Sequence, residues 1–309
     1  MKKSDRFLGS LIGLAVGDCM GAAVEFCPPG SFEPVSDMRG GGPFDLKPGE
    51  WTDDTSMALC LAESIIESKG FDAADQMERY TRWYKEGYLS STGECFDIGI
   101  ATREALSQYL KTGEPYSGST DPFKAGNGSI MRLAPVPLAW SNDMERAIYY
   151  SGESSRTTHQ AEEAMDACFY LGGLIAGAVN DFSKEYLLSQ EFVSLVENKL
   201  GRPLSPKIKE VAEGSYRDRK PPRINGSGYV VDSLEAVLWA FYRTEDFSEG
   251  LLKVVNLGND ADTTGAIYGQ LAGAYYGVSM IPERWRQQLV QLEFIESLAN
   301  KLYDVQLET

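Results

Sequence analysis

Two short acidic runs lie near opposite ends of the sequence. The first, in WTDDTSMALCLAES, places Thr52, Asp53, Asp54 and Thr55 just before an apolar-periodic stretch. The second, in GNDADTTGAIYGQLAG, places Asp260, Asp262, Thr263 and Thr264 in the same relation to another. One such run has an ordinary explanation, because Thr or Asp caps and early carboxylates satisfy free N–H groups at a helix start and oppose its dipole. Two runs of the same make are harder to explain that way. Asp260 and Asp262 stand two residues apart, so in an extended turn their side chains can bracket an ion. Carboxylate and hydroxyl oxygens suit Mg²⁺ or Mn²⁺, whereas zinc prefers His and Cys, and the chain has one histidine. If the runs converge, about five carboxylates share one cavity, and like charges at that density need cations to stay ionised. The two runs together therefore point to a site for two divalent ions.

Other residues are candidates with two readings each. Glu25, in GDCMGAAVEF, follows a glycine-rich apolar stretch and is either a surface glutamate at a helix end or a group lying over the same cavity. Asp18 sits among Gly, Ala, Val and Cys, where a free charge is costly, so it is either hydrogen-bonded or ligating. The small-residue loop Gly126, Asn127, Gly128 and Ser129 is an ordinary turn or a set of backbone N–H groups open to phosphate oxygens. It has neither the Gly-Lys-Ser/Thr ending of a Walker loop nor dinucleotide-type glycine spacing. His159 is a structural hydrogen-bonder or a functional base, and any Ser-His or Cys-His mechanism would depend on it alone. Arg217, Arg219, Lys220 and Arg223 form a basic loop, either solvated or facing a partner.

Helices are the elements that must position these groups. Strict alternation is scarce, and helical periodicity predicts helices over 5–23, 54–68, 72–87, 97–110, 144–151, 160–179, 190–200, 232–243, 248–256, 263–277 and 283–303. The expected class is all-α. Breaker-rich loops at 28–50 and 215–228 do not divide the chain, since the two acidic runs lie at its opposite ends, and a single domain over 1–309 is expected. Gly9, Gly13, Gly17 and Gly21 stripe the first helix, and Gly265, Gly269, Gly273 and Gly277 stripe a late one. Glycine in a helix interior costs ~1 kcal/mol against alanine, so close approach of neighbouring helices is the expected compensation. Asp18 and Gln270 interrupt both stripes, which argues for a soluble core and against lipid-embedded pairing.

The formal net charge of −16 opposes non-specific contact with nucleic acid or an anionic membrane. Five cysteines without Cys-x-x-Cys spacing predict reduced thiols and a cytoplasmic setting. The opening MKKSDRFLGSLIGLAVG imitates a secretion signal, but Asp5 and Asp18 count against that reading. No apolar run reaches the ~20 uncharged residues of a membrane-spanning helix.

Taken in order, GLAVGDCMGAAVEF, WTDDTSMALCLAES, CFDIG, AGNGSIMRLAPVPL, SSRTTHQAEEAMDAC and NLGNDADTTGAIYGQLAGA resemble the ADP-ribosylglycohydrolase family over residues 11 to 277, and GNGSIMRLAP is closer to its bacterial arginine-directed branch than to the serine-directed one. The resemblance implies an all-helical single domain with a binuclear Mg²⁺ or Mn²⁺ centre. Thr52, Asp53, Asp54, Asp260, Asp262 and Thr263 would be the metal ligands. Glu25 would be a ligand or acid/base residue, Asp97 of CFDIG would contact ribose or assist catalysis, and Gly126 to Ser129 with His159 would hold ADP-ribose. Ile100 stands where family members often have Asn, which weakens the polar surroundings expected for Asp97. The implied activity is metal-dependent hydrolysis of the N-glycosidic bond between ADP-ribose and a modified arginine. In that scheme the metals hold the hydroxyls of the distal ribose, and Glu25 or a cluster aspartate such as Asp54 or Asp260 manages the proton. The alternatives are an O-linked or diphosphate hydrolase of another ADP-ribose compound, and a silent ADP-ribose-binding protein.

Overall fold

Glycine at every fourth position of a helix leaves a face on which a second backbone can lie directly, and the first and thirteenth helices use this face against each other. A Cβ added to Gly17 would lie 2.0 Å from the Gly265 carbonyl oxygen, and one added to Gly13 would lie 2.3 Å from that of Gly269. Gly9 meets Gly273 and Gly21 meets Ala261 in the same way, at 2.2 and 2.1 Å. The pair is antiparallel, and at its glycine positions there is no room for a Cβ. Dispersion contacts and Cα–H···O approaches along the whole seam offset the propensity cost of the glycines. Ser10 Oγ also donates to the Gln270 carbonyl at 2.9 Å across the seam.

The computed structural model describes residues 1–305; the expected domain runs to 309, and 306–309 lie outside the described residues. In chain order the helices are α1 (Lys3–Ala22), α2 (Asp53–Ser68), α3 (Ala73–Glu86), α4 (Ile100–Thr112), α5 (Pro135–Ala139), α6 (Met144–Ser155), α7 (Glu162–Val179) and α8 (Lys184–Leu187). They continue as α9 (Gln190–Leu200), α10 (Pro206–Ala212), α11 (Val230–Arg243), α12 (Phe247–Val255), α13 (Ala261–Tyr276), α14 (Glu283–Gln288) and α15 (Leu292–Asp304). Short 3₁₀ turns at Pro122–Lys124, Ser215–Arg217 and Val278–Met280 join some of them. Among the described residues the β-type pairing is confined to isolated bridges such as Ser119 with His159 and Gly126 with Tyr229. The architecture is all-α, one helical domain around a continuous core, with the α1–α13 pair at its centre and α2, α7, α11, α12 and α15 packed around it. Every residue of α13 except Tyr275 is buried. No helix among the described residues is long and apolar enough to cross a membrane.

Several expected boundaries shift for identifiable reasons. The helix expected over 97–110 begins at Ile100, because Asp97 takes a left-handed conformation with φ +55° and Gly99 becomes the N-cap. His159 and Gln160 lie in a loop ahead of α7, where the Gln160 amide donates to Ser119; His159 is therefore not in a helical first turn. The segment 283–303 is two helices, broken at Gln291 (φ +51°), beside Val290, whose amide donates to the Gly49 carbonyl. The short helices α5, α8 and α10 have too few turns for a periodic signal; α5 and α10 start on a proline at the first helical position, where its missing N–H costs nothing.

Candidate active site

The seam sets α1's C-terminal end beside α13's N-terminal end, and so brings the two acidic runs together. At the start of α2, Thr52 makes no side-chain cap. The cap comes instead from Asp18 of α1. Asp18 Oδ1 accepts from the Thr52 amide at 2.9 Å and lies 3.0 Å from its hydroxyl; Oδ2 accepts from the Thr55 amide at 3.0 Å and its hydroxyl at 2.6 Å. Burial pushes Asp18 up to about 6 against the pull of these four donors. Asp18 is thus hydrogen-bonded, and it fixes where α2 begins.

The two runs interlock. The Thr52 hydroxyl, itself buried, lies 3.1 Å from Asp54 Oδ2 and 3.4 Å from Asp262 Oδ2, while Thr263 Oγ1 lies 3.4 Å from Asp54 Oδ2. One carboxylate oxygen of each of Glu25, Asp97 and Asp262 lies within 4.8 Å of the other two. Asp260 Oδ2 accepts from Asn127 Nδ2 at 2.5 Å, and Asn127 Nδ2 is also 2.9 Å from Ser233 Oγ. Backbone strain marks the same place: Phe26 after Glu25 (φ +59°), Asn259 before Asp260 (φ +57°) and Asp97 itself are all left-handed non-glycine residues. Two backbone hydrogen bonds hold the first pair, from the Phe26 amide to the Asn259 carbonyl at 2.6 Å and from the Asn259 amide to the Cys27 carbonyl at 2.8 Å.

The electrostatics of this cluster test whether a cation fits it. Burial, then the neighbouring Asp97, Asp260, Asp53 and Asp54, push Glu25 up to about 10. Burial raises Asp97 to about 7, and Asp18 and Asp260 add to it. Burial and like charges hold Asp53, Asp54 and Asp262 well above the usual carboxylate range; Asp260 is raised by burial and drawn back by bonds from Asn127 and Thr263. Glu25 Oε2, Asp54 Oδ1 and Asp262 Oδ1 are buried with no hydrogen-bond partner among the described residues, a costly state for acceptors. Hard oxygen donors, negative charge in excess and orphaned buried oxygens fit a divalent cation.

The cluster forms one end of a cavity of about 540 Å³, lined there by Glu25, Asp53, Asp97, Asp260, Asp262 and Thr263. Gly126, Asn127, Gly128 and His159 line the cavity as well, with Asn127 bonded to Asp260 of the cluster, and Ile98 to Thr102 complete the wall. A Cβ on Gly128 would lie 2.8 Å from the His159 ring, so only glycine lets the loop cross the imidazole. Burial, then Arg132, lower His159 to about 3, so it is neutral. Its Nδ1 is 2.8 Å from the Thr158 hydroxyl, which accepts from Arg132 Nη2 at 2.7 Å; a hydroxyl polarised in this way donates to Nδ1, which favours a proton on Nε2. Thr52 and Asp54 sit behind the cavity wall. So does Ser129, which is buried and 2.8 Å from Ser155 Oγ.

The sequence reading left out Arg132. This buried guanidinium has no carboxylate partner among the described residues; it donates to the Gly128 carbonyl at 2.6 Å and to Thr157 and Thr158, and faces the Tyr80 ring at 4.8 Å. By holding the Gly128 carbonyl it fixes the loop's orientation. Arginine in the run IMRLAP, amid apolar residues, was the available signal. Gln270, the polar residue that interrupts the second glycine stripe, has a partner the sequence does not show: its Nε2 donates to the Ile130 and Met131 carbonyls at 2.8 and 3.1 Å and ties α13 to the same loop.

The whole chain, residues 1–309, matches the sequence pattern of ADP-ribosylglycohydrolases. It belongs to the ADP-ribosylglycohydrolase family. Within that family it is 44% identical over 299 residues to the ADP-ribosylarginine hydrolase Tri1 of Serratia proteamaculans, covering 97% of this chain and 79% of that protein. It is 33% identical to the ADP-ribosyl-[dinitrogen reductase] glycohydrolase of Rhodospirillum rubrum, over 92% of this chain and 90% of that one. A solved structure described as an ADP-ribosylglycohydrolase-related protein complex superposes with a TM-score of 0.86 at 46% identity, covering 99% of both chains.

Proposed function

We propose that this ADP-ribosylglycohydrolase cleaves the N-glycosidic bond between ADP-ribose and an arginine side chain. The observation that carries the reading is the meeting of both acidic runs with Glu25 and Asp97 at a cavity that is also lined by the loop 126–128 and a neutral histidine. The similarity to arginine-directed relatives at 43–44% identity supports the arginine linkage over the serine linkage. In the reaction, water adds to the anomeric carbon as the carbon–nitrogen bond breaks; one water proton passes to the leaving guanidine nitrogen and the other hydrogen stays on the new sugar hydroxyl.

Thr52, Asp53, Asp54, Asp260, Asp262 and Thr263 would hold two divalent ions, Mg²⁺ or Mn²⁺. When bound, such ions neutralise the carboxylates, orient sugar hydroxyls and acidify water. The protein groups divide the remaining work. Glu25 and Asp97, on opposite loops at the cavity's acidic end, take and return the proton, and the surrounding carboxylates favour positive charge developing on the sugar. Asp54 and Asp260 contribute by keeping that constellation in register, Asp260 through its bond from Asn127. The Gly126 and Asn127 amides donate to the Lys124 and Gly228 carbonyls, so the Gly128 amide and the Nε2 proton of His159 are the donors left to face the diphosphate and offset phosphate charge that a chain of net charge −16 would repel. Ser129 supports the loop from behind through Ser155. The five free cysteines support a reducing, cytoplasmic setting.

The test is release of ADP-ribose from an ADP-ribosylated arginine substrate, followed by chromatography with Mg²⁺, Mn²⁺ or chelator. Metal-dependent release, lost by at least ~100-fold in Asp54→Ala and Asp260→Ala, is expected. AMP and ribose phosphate as products, binding of ADP-ribose without turnover, or full activity of both variants would each overturn the reading.

A further inference from the structure

At the acidic end of the cavity each of two carboxylates is followed or preceded by phenylalanine: Glu25–Phe26 and Phe96–Asp97. The left-handed backbone at Phe26 and Asp97 separates neighbours, so that the acids join the cluster while the rings gather outside it. Phe26 and Phe44 meet edge to face with centroids 6.5 Å apart, and Phe44 and Phe96 are tilted at 5.2 Å. Phe44 is held there by its own loop, where Gly42 packs so closely that a Cβ would lie 2.0 Å from the Ala22 carbonyl oxygen at the end of α1. Phe26 lines the cavity, yet it is 63% exposed. A large ring on a strained, doubly hydrogen-bonded backbone, braced by a second ring and left open to solvent, contributes little to the core. It is a surface prepared for something that arrives.

We propose that Phe26, braced by Phe44 and Phe96, is a specificity-determining residue that receives the planar guanidinium of the target on its ring face. The inference rests on the arginine reading above. With the diphosphate along the glycine loop and the anomeric carbon at Glu25 and Asp97, the leaving side chain lies beside these carboxylates, and Phe26, next to Glu25, is the ring that lines the cavity there. An aromatic face attracts a cation through its quadrupole. A serine-linked target offers neither charge nor a plane, so the ring discriminates by the chemistry of the leaving group.

The experiment compares native protein with Phe26→Leu and Phe26→Tyr on arginine-linked and serine-linked ADP-ribosyl peptides, with KM and kcat resolved and with Kd for free ADP-ribose and melting temperature measured alongside. Leucine keeps an apolar side chain and the same backbone demand while removing the quadrupole. The expected result is a ~3- to 30-fold rise in KM for the arginine substrate in Phe26→Leu, near-native behaviour in Phe26→Tyr, and no change in ADP-ribose affinity, melting temperature or residual turnover of the serine substrate. Equal KM for native and Phe26→Leu would overturn the inference, as would parallel losses in ADP-ribose affinity or melting temperature, which mark a structural role. If native protein releases no ADP-ribose from the arginine peptide, the functional reading itself fails, a separate outcome.

Discussion

Asp18→Ala tests the link between the seam and the site most directly. The substitution removes the acceptor for two buried amides, those of Thr52 and Thr55, and for two hydroxyls. The hydroxyls can turn: Thr52 Oγ1 already lies 3.1 Å from Asp54 Oδ2. The amides cannot, and each buried orphan costs about 1–3 kcal/mol. Helix α2 also loses the negative charge at its N-terminus, which contributes up to ~2 kcal/mol in a partly buried geometry. Relief of repulsion between Asp18 and the neighbouring Asp53, Asp54 and Asp262 offsets part of this. A net loss of about 3–5 kcal/mol follows. With an unfolding entropy of about 2.1 cal/mol/K per residue over 309 residues, that is a fall in Tm of about 5–8 °C. Asp18→Asn keeps the shape and one acceptor oxygen, so it falls about half as far. Differential scanning calorimetry and urea titration measure both variants, and activity with saturating metal reports whether Thr52 and Asp54 have moved. A Tm within 1 °C of native for Asp18→Ala, with native turnover, would refute the claim that α1 sets the start of α2.

Three further outcomes are expected. Gly265→Ala places a Cβ 2.3 Å from the Gly17 carbonyl oxygen and 3.1 Å from Val255, so the helices must part by about 1 Å; a loss of 1–3 kcal/mol or more and ~100-fold in turnover should appear by calorimetry and kinetics, whereas Gly70→Ala, with its nearest contact at 3.8 Å, should leave both unchanged. In chelator, Tm should fall as pH rises from 5 to 8, because carboxylates with raised folded-state values hold protons that the unfolded chain has released; Asp97 loses its share between about 4 and about 7, and Glu25 continues losing up to about 10. A Tm that is flat or rises over that range would contradict the cluster's burial. Divalent metal should stabilise the protein at pH 8, by about 2.7 kcal/mol per ion at a hundredfold excess over Kd, and much less at pH 5, where protons compete for the same oxygens; a thermal shift series resolves the two.

The sequence made the large helices legible because each buries an apolar face over three or more turns; Gln190–Leu200 was expected with these same ends. It also made the acidic runs legible, since Asp-x-Asp and Asp-Asp before a helix carry their chemistry in their spacing. What it left obscure depends on contacts between distant residues. The cap of α2 is an example: local chemistry offers Thr52 or Asp53, and the structure uses Asp18, 34 residues earlier. The left-handed turn at Asp97 is another, because nothing in CFDIG distinguishes a helix start from a strained loop until Glu25 and Asp262 lie beside it. Ser129 reads as part of a phosphate loop from its neighbours, yet it points to Ser155 and Cys168. Side-chain direction within a loop has no periodicity to betray it.

The glycine seam also sets the order in which the protein can be completed. It joins residues 9 to 21 with residues 261 to 273, so α1 leaves the ribosome long before its principal neighbour α13 has been made. Until then Asp53 and Asp54 have no opposite half, and α1 shows a bare backbone face that other nascent chains can meet. Domains usually begin folding from the N-terminus during synthesis, and long-range closure is slow. Here the synthesis of α13 closes the core and creates the site in the same event, so a product that stops before α13 lacks both.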